Sequence, residues 1–277
     1  MYKRQITLFI IGFMSCGARL PIYVLFTGAF FGADKAGNIL FLIYISGALL
    51  GLIMAKILRV VVFKGEDEPF VMEMPKYRFP SFRLIWHTVY NNAKSYVKKA
   101  GTFILAASVL IWILATYPNQ PNLEKTYQAK IEKSSKDEAK KLENELKMKK
   151  LEYSYLGQIG KASEPFFAPL GFDWKMTVSL EAGLAAKEVV VSTLGVLYAI
   201  GDDADENSNA LAQELKRNIS FASAMAFIVF VMIYLPCLAA SMVFAKEAGG
   251  YKYLAYLFIF TTVTAWVLSF ITYRILV

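Results

Sequence analysis

The sequence predicts an all-α, polytopic membrane protein with about six transmembrane helices. Apolar residues make up 56% of its 277 residues and charged residues only 19%, whereas soluble domains are about half apolar and about a quarter charged. The apolar residues also fall into blocks long enough to cross a bilayer as helices. The net charge of +8 does not indicate nucleic-acid binding, because the basic residues lie between these blocks, where they set membrane topology.

Six segments qualify as predicted spans by length and hydropathy. They are residues 5–31, 38–63, 99–117, 176–200, 221–245 and 253–277. Pro21 and Pro236 predict helix breaks in the first and fifth spans, because proline removes a backbone donor and clashes with the preceding turn. The second and sixth spans have no such irregularity and are predicted to be packing helices.

Basic residues concentrate before the first span and around the connection between the second and third spans. They are Lys3, Arg4, Lys56, Arg59, Lys64, Lys76, Arg78, Arg83, Lys94, Lys98 and Lys99. The positive-inside rule places this connection, and with six spans both chain termini, in the cytoplasm. Residues 118–175 are then extracytoplasmic, because long loops translocate largely regardless of their charge.

Three segments outside the spans have patterns of their own. Residues 81–99 place aromatic and aliphatic side chains at helical spacing opposite basic ones, which predicts an amphipathic helix in the membrane interface. Residues 122–152 alternate glutamate and lysine at near i,i+4 spacing, which predicts an exposed helical hairpin or single helix. Residues 163–172 contain two prolines and three aromatics and are predicted to form an elbow before the fourth span.

The fourth span contains three ionisable residues, Glu181, Lys187 and Glu188. Charged groups are costly in a membrane, so each is a candidate for the transport pathway or its gating. On a continuous helix Glu181 and Glu188 share a face, whereas Lys187 points about 100° away from Glu188. A structural alternative is that Lys187 snorkels to the interface and Glu188 bonds a broken helix nearby.

Two cysteines, Cys16 and Cys237, each lie near a proline in an apolar segment. A thiolate beside a broken helix is a plausible ligand for a soft or borderline metal ion, although free cysteine also packs as a small hydrophobe. Ser15 is a hydrogen-bonding residue at the first break. Arg19 is predicted to satisfy the carbonyl groups released by Pro21, since an arginine would repel a cation.

Several other chemistries have no support in the sequence. With a single histidine, His87, no paired-histidine metal site can form. Neither a GxxxxGK[ST] phosphate-binding loop nor a GxSxG nucleophile elbow occurs. No catalytic residues are predicted, and an enzyme is the weakest functional hypothesis.

Five motifs occur in a characteristic order: FMSCGARLP at 13–21, PFVMEMPKYRFP at 69–80, PLGFDW at 169–174, AAKEVVVSTLG at 185–195 and YLPC at 234–237. Together they resemble the membrane domain of ferrous iron transport protein B, FeoB, of bacteria. The resemblance implies Fe²⁺ uptake across the cytoplasmic (inner) membrane, with Fe²⁺ as transported substrate and no permanently bound cofactor. It also implies that Cys16 and Cys237, at the cysteine positions of two Gate regions, lie on the iron pathway.

The resemblance implies four regions in this chain. They are a partial first Gate (1–63), a cytoplasmic amphipathic segment with the third span (64–117), an extracytoplasmic charged helical loop (118–175) and a second Gate (176–277). The family's GTP-binding domain has no counterpart in this sequence, so GTP binding is expected from a part supplied elsewhere. The other expected partners are the lipid bilayer and a second copy of the chain.

Two alternatives remain open. Similar Gate-like segments are associated with nucleoside carriers, so the substrate could be an organic solute. The chain could also be a non-transporting subunit that completes a larger membrane complex.

Overall fold

A computed structural model describes residues 2–62, 79, 81–201, 205 and 208–277 of the chain. The α-helices in these residues are α1 (Tyr2–Ile10), α2 (Leu20–Phe31), α3 (Ala33–Val61), α4 (Phe82–Thr116), α5 (Pro121–Ile131), α6 (Lys136–Tyr153), α7 (Tyr155–Phe167), α8 (Trp174–Ala185), α9 (Val189–Leu197), α10 (Asn209–Asn218), α11 (Phe221–Ile233), α12 (Leu238–Ala248) and α13 (Tyr251–Leu276). Short 3₁₀ helices cover Ile11–Phe13, Gly17–Arg19 and Ala168–Leu170. The described residues form no strand, and the predicted all-α class is confirmed. Lys64, Lys76, Arg78 and most of the 69–80 motif lie outside the described residues.

Long apolar helices establish a polytopic membrane protein. Within the described residues, three stretches are long and apolar enough to cross a membrane, namely Ile6–Phe31, Asp34–Val61 and Tyr251–Leu276. The first of these contains α1 and α2 with a break between them. Helix α10 meets α11 at an angle of 114°, so α10 lies across the end of α11 rather than extending it.

Two broken spans run antiparallel through the centre of the bundle, α1–α2 and α11–α12. Aromatic contacts between them show the direction, because residue numbers rise in one span as they fall in the other. The ring centroids are separated by 5.1 Å for Phe9–Phe244, 4.9 Å for Phe26–Phe227 and 5.4 Å for Phe31–Phe221. The start of α1 therefore lies at the same end of the bundle as the end of α12.

Helix α13 returns antiparallel to α11–α12. Near its start, Leu257 and Tyr253 pack in one apolar cluster with Phe9 and Phe244. Near its other end, the Tyr273 ring lies against Gly171, which leaves no room for a Cβ atom there. The chain thus begins at one end of the bundle, the N-terminal end, and α13 finishes at the opposite end.

Helix α4 combines two elements that the sequence analysis separated. The predicted interfacial helix at 81–99 and the third span form one continuous helix of 35 residues. Its sequence has no proline and a single glycine, Gly101, so nothing ends the helix where the composition changes. The last turns pack through Ile111 and Leu114 against Leu156 and Val178, which places the end of α4 opposite the N-terminal end.

The predicted fourth span does not cross the bundle. The Nζ atom of Lys175 lies 4.4 Å from the centre of the Tyr198 ring, although a straight helix would separate these residues by roughly 35 Å. Helix α9 therefore folds back along α8, and the segment enters and leaves at the same end. We call α8–α9 the re-entrant hairpin and residues 186–188 its tip.

Local backbone geometry explains why this segment turns. Ala186 is extended, with φ −148° and ψ 122°, which ends α8 inside an otherwise apolar segment. Gly183 lets the two helices approach, since a Cβ atom there would lie 2.5 Å from Val190 Cγ2. Residues 176–200 thus form a re-entrant hairpin and not the predicted fourth span, and the start of α1 and the end of α13 lie at opposite ends of the bundle.

The charged insertion is a helical hairpin, α5–α6, one of the two forms that its pattern predicts. Tyr127 donates a hydrogen bond to Glu145 across the hairpin at 3.0 Å, and Lys150 pairs with Glu124. The Nδ2 atom of Asn144 donates to the carbonyl oxygen of Ile200 at 2.7 Å. The charged hairpin therefore contacts the chain just after the C-terminal end of α9.

Candidate functional site

Three breaks in three separate helical segments meet at one place. They are residues 14–16, the tip at 186–188 and residues 234–237. A Cβ atom on Gly12 would lie 3.3 Å from Pro236 Cγ, and one on Gly183 would lie 2.8 Å from the Tyr234 hydroxyl. We call this junction the break site. It brings together most of the residues that the sequence analysis selected.

Both cysteines lie at the point where a helix resumes after a break. Cys16 is extended and precedes the 3₁₀ helix Gly17–Arg19, and Cys237, with φ −53° and ψ 156°, is non-helical and precedes α12. The Cys16 side chain is exposed and that of Cys237 is half-buried. Each cysteine therefore lies at a helix break, and neither is fully packed in the core.

The first break is not where Pro21 predicts it. Pro21 lies in the first turn of α2, where a proline is tolerated because that amide would have no helical partner. The chain leaves helical geometry earlier, at Met14, which is extended with φ −72° and ψ 127°. In the fifth span, by contrast, Pro236 lies within its break, between α11 and α12.

Arg19 bonds the carbonyl groups that precede the first break. Its side chain is 2% exposed, and its guanidinium donates to the oxygens of Gly12 at 3.0 Å and Met14 at 3.3 Å. The Ser15 hydroxyl lies 3.2 Å from the Tyr23 hydroxyl at the same break. Arg19 therefore supplies donors where the helix lacks them, as expected for a broken helix in an apolar environment.

Lys187 occupies the tip of the re-entrant hairpin and does not snorkel. It is 1% exposed, and its Nζ atom donates to the Val231 carbonyl oxygen at 3.4 Å. The same atom lies 3.7 Å from the centre of the Tyr234 ring, a cation–π geometry. Arg19 and both cysteines are within electrostatic range of Lys187.

The two glutamates do not form a common face. Because the helix breaks between them, Glu181 lies half-buried on α8 while Glu188 is exposed at the start of α9. Among the described residues, no group of three or more histidine, cysteine, aspartate or glutamate side chains could hold a metal ion.

Two tyrosines at the break site were not selected from the sequence. Tyr234 is buried against Gly183 and Lys187, and Tyr23 contacts Ser15. Tyr234 precedes Pro236 and Cys237 in the YLPC motif, so its position offered a signal. Tyr23 offered none, because one tyrosine in an apolar segment is most simply interpreted as packing.

A family model described as Gate, nucleoside recognition, matches residues 97–251, more than half of the chain. The chain belongs to the Gate family. The Gate match includes the re-entrant hairpin and Cys237, whereas Cys16 lies before it. A second family model, described as ferrous iron transport protein B C terminus, matches residues 40–92.

Curated relatives of this Gate protein are ferrous iron transporters by name. Fe(2+) transporter FeoB of Campylobacter jejuni is 54% identical over 268 residues, covering 97% of this chain and 41% of the relative. That of Helicobacter pylori J99 is 51% identical over 281 residues, covering 98% and 44%. A Fe(2+) transport protein A/FeoB fusion protein of Porphyromonas gingivalis is 42% identical over 292 residues, covering 99% and 34%.

The predicted resemblance to the membrane part of FeoB is confirmed by these matches. The chain spans less than half the length of these curated relatives. No solved structure matches the chain.

Proposed function

We propose that this chain carries Fe²⁺ across the bacterial cytoplasmic membrane as the C-terminal permease part of a FeoB-type transporter. The observation that carries the proposal is the meeting of two antiparallel broken spans at Gly12 and Pro236, each with a cysteine at its break. Curated relatives named as Fe(2+) transporters support Fe²⁺ as the substrate.

The chemistry of the break site suits Fe²⁺ as a passing substrate. Fe²⁺ accepts thiolate sulfur together with oxygen ligands, and Cys16 and Cys237 are both free thiols. Breaks in the helices leave carbonyl groups near them without amide partners. Repeat-built transporters bind substrate at such discontinuous helices and open alternately to the two sides, and we assign the same role to the break site.

The orientation follows from the basic residues at the N-terminal end. Lys56 and Arg59 lie in the last turns of α3, and Arg83 lies in the first turn of α4. The positive-inside rule then places the N-terminal end in the cytoplasm. The charged hairpin α5–α6, the base of the re-entrant hairpin and the end of α13 would be extracytoplasmic. A GTP-binding part would act from the cytoplasmic side.

The test is Fe²⁺ uptake by bacteria that lack other ferrous uptake systems and express the chain with a separately encoded GTP-binding part. We expect the Cys16→Ser/Cys237→Ser variant to lose at least about tenfold in uptake, because serine is a hard and weak ligand for a borderline metal. Met14→Leu is the matched control, since it removes an exposed sulfur beside the same break and should transport normally. Unchanged uptake by the double variant would refute the metal pathway.

A nucleoside substrate is the second candidate, because the Gate model carries the description nucleoside recognition. The same cells would be given radiolabelled uridine. Uptake of uridine that survives the cysteine substitutions would favour a nucleoside carrier.

Proteoliposomes that contain the chain alone would show no Fe²⁺ flux if it is a subunit that needs its partner, and flux would return when the GTP-binding part is added.

A further inference from the structure

Lys187 ties the tip of the re-entrant hairpin to the fifth span. Its Nζ atom donates to Val231, in the last turn of α11, where helical carbonyls lack amide partners. It also lies over the face of Tyr234, the first residue after α11. One turn earlier in the hairpin, Gly183 packs against the Tyr234 hydroxyl. The tip is therefore docked on the break of the fifth span through one charged side chain.

The groups around Lys187 make this docking conditional. The charged or titratable groups that face it are Arg19 and Cys16 from the first broken span and Tyr234 and Cys237 from the fifth. None of the ion pairs in the described part of the chain includes Lys187. The Lys187 ammonium is therefore held by a carbonyl oxygen and a ring face, and by no carboxylate among these pairs.

We propose that Lys187 acts as a latch. While the break site is empty, Lys187 holds the re-entrant hairpin closed on the site, and an incoming divalent cation releases the hairpin. The inference rests on the proposed function. A divalent cation bound by Cys16 and Cys237 would lie within electrostatic range of Lys187 and repel it, because the two carry like charge and the Lys187 side chain itself is buried. Substrate binding and docking of the tip then exclude each other, so occupancy of the site moves the hairpin.

The first measurement is the affinity for Fe²⁺, kept reduced with ascorbate, of the full chain in lipid nanodiscs. Lys187→Met keeps the volume and apolar stem of the side chain and removes the charge. We expect it to bind Fe²⁺ about tenfold more tightly than the wild type, because the apparent affinity equals the intrinsic affinity multiplied by the fraction of protein in the open, binding-competent state. Lys187→Arg keeps the charge and should bind as the wild type does. Affinity that is unchanged or weaker in Lys187→Met would overturn the latch.

The second measurement is hydrogen–deuterium exchange of the peptide that contains the tip, with α13 as an internal control for folding. In the wild type the tip should exchange slowly without metal and at least about tenfold faster with Fe²⁺, since local opening sets the exchange rate. Lys187→Met should exchange fast in both conditions and Lys187→Arg should behave as the wild type. A tip that is equally protected in Lys187→Met and the wild type would refute the proposal.

The two proposals fail in different ways. If Cys16→Ser/Cys237→Ser still transports Fe²⁺, the cysteine pathway is wrong and the latch falls with it. If that variant loses transport but Fe²⁺ does not change tip exchange in the wild type, the pathway stands and the latch alone is wrong.

Discussion

The break site and the charged hairpin α5–α6 both contain lysines, yet they satisfy these charges in opposite ways. In the charged hairpin, Lys149 pairs with Glu152, which also pairs with Lys161 of the following helix α7, and all three side chains are partly exposed. At the break site, Lys187 and Arg19 are almost fully buried and bond to backbone carbonyls instead of carboxylates. Exposed ion pairs contribute little to stability, whereas burying a cation costs free energy unless hydrogen bonds within the protein replace those it made to water.

This difference predicts how strongly each region responds to the substitution of a charged residue. A charge that water can solvate is replaceable, so the charged hairpin should accept neutral substitutions. A charge held by the ends of broken helices fixes the positions of those helices. Substitutions of Arg19, Gly183 and Glu152 test this contrast, from the largest expected effect to the smallest.

The largest effect is expected from Arg19→Met. The substitution keeps most of the side-chain volume but leaves the Gly12 and Met14 carbonyls without their donors. At roughly 1–3 kcal/mol for each buried group left unpaired, we expect a loss of about 3 kcal/mol. Thermal unfolding in nanodiscs would measure it. Arg19→Lys keeps the charge but lacks the planar fork of donors, so its unfolding midpoint should lie between those of the wild type and Arg19→Met. A wild-type midpoint for Arg19→Met would contradict the assigned role.

Gly183→Ala should be the next most harmful change. The added methyl group would meet Val190 Cγ2 and the Tyr234 hydroxyl, and overpacking of this kind costs about 1–3 kcal/mol. Gly28→Ala is a matched control on α2, because nothing lies within 4 Å of its Cβ position. The control should be neutral or slightly stabilising, as alanine is the better helix former. Equal stability of the two variants would show that the hairpin tip is not closely packed.

The smallest effect is expected from Glu152→Gln in the charged hairpin. The Lys161 and Lys149 ammonium groups hold the pKa of the Glu152 carboxyl below its ordinary value, against partial burial. A carboxyl whose pKa is lowered in the folded state stabilises that state at neutral pH. This contribution is lost as the pH falls below the carboxyl's ordinary pKa and through its lowered pKa. We expect about 0.5 kcal/mol at pH 7 and no difference in strongly acidic buffer.

Thermal unfolding of wild type and Glu152→Gln at both pH values would check this pH dependence. Glu143→Gln is the control, since Glu143 is exposed and takes part in none of the ion pairs that the structure describes. A difference for Glu152→Gln that persists in acid would show that the carboxylate is not responsible.

Much of this arrangement could be predicted from local sequence. Apolar blocks predicted the helices, and alternating charges predicted the charged hairpin. The junction of Cys16, Arg19 and Cys237 could be anticipated only because unusual residues lie near prolines in apolar segments. These signals work because each depends on a few neighbouring residues.

The errors arose where the outcome depended on distant contacts. Residues 176–200 have the length and hydropathy of a span, and no proline marks the turn at Ala186. The turn is stabilised by packing of Gly183 on Val190 and by the bond from Lys187 to Val231, the second of which joins positions far apart in sequence. Similarly, Pro21 indicated a break but not its position, because proline in a first helical turn is compatible with a regular helix.

The antiparallel course of the two broken spans has a consequence for the symmetry of the break site. Each span presents a helix end, then a thiol, then the start of the next helix, and because the spans are antiparallel this order is nearly the same when viewed from either end of the bundle. The re-entrant hairpin has no such mirror image among the described residues, because it enters from one end only. At the break site, the re-entrant hairpin is therefore the element that distinguishes one end of the bundle from the other.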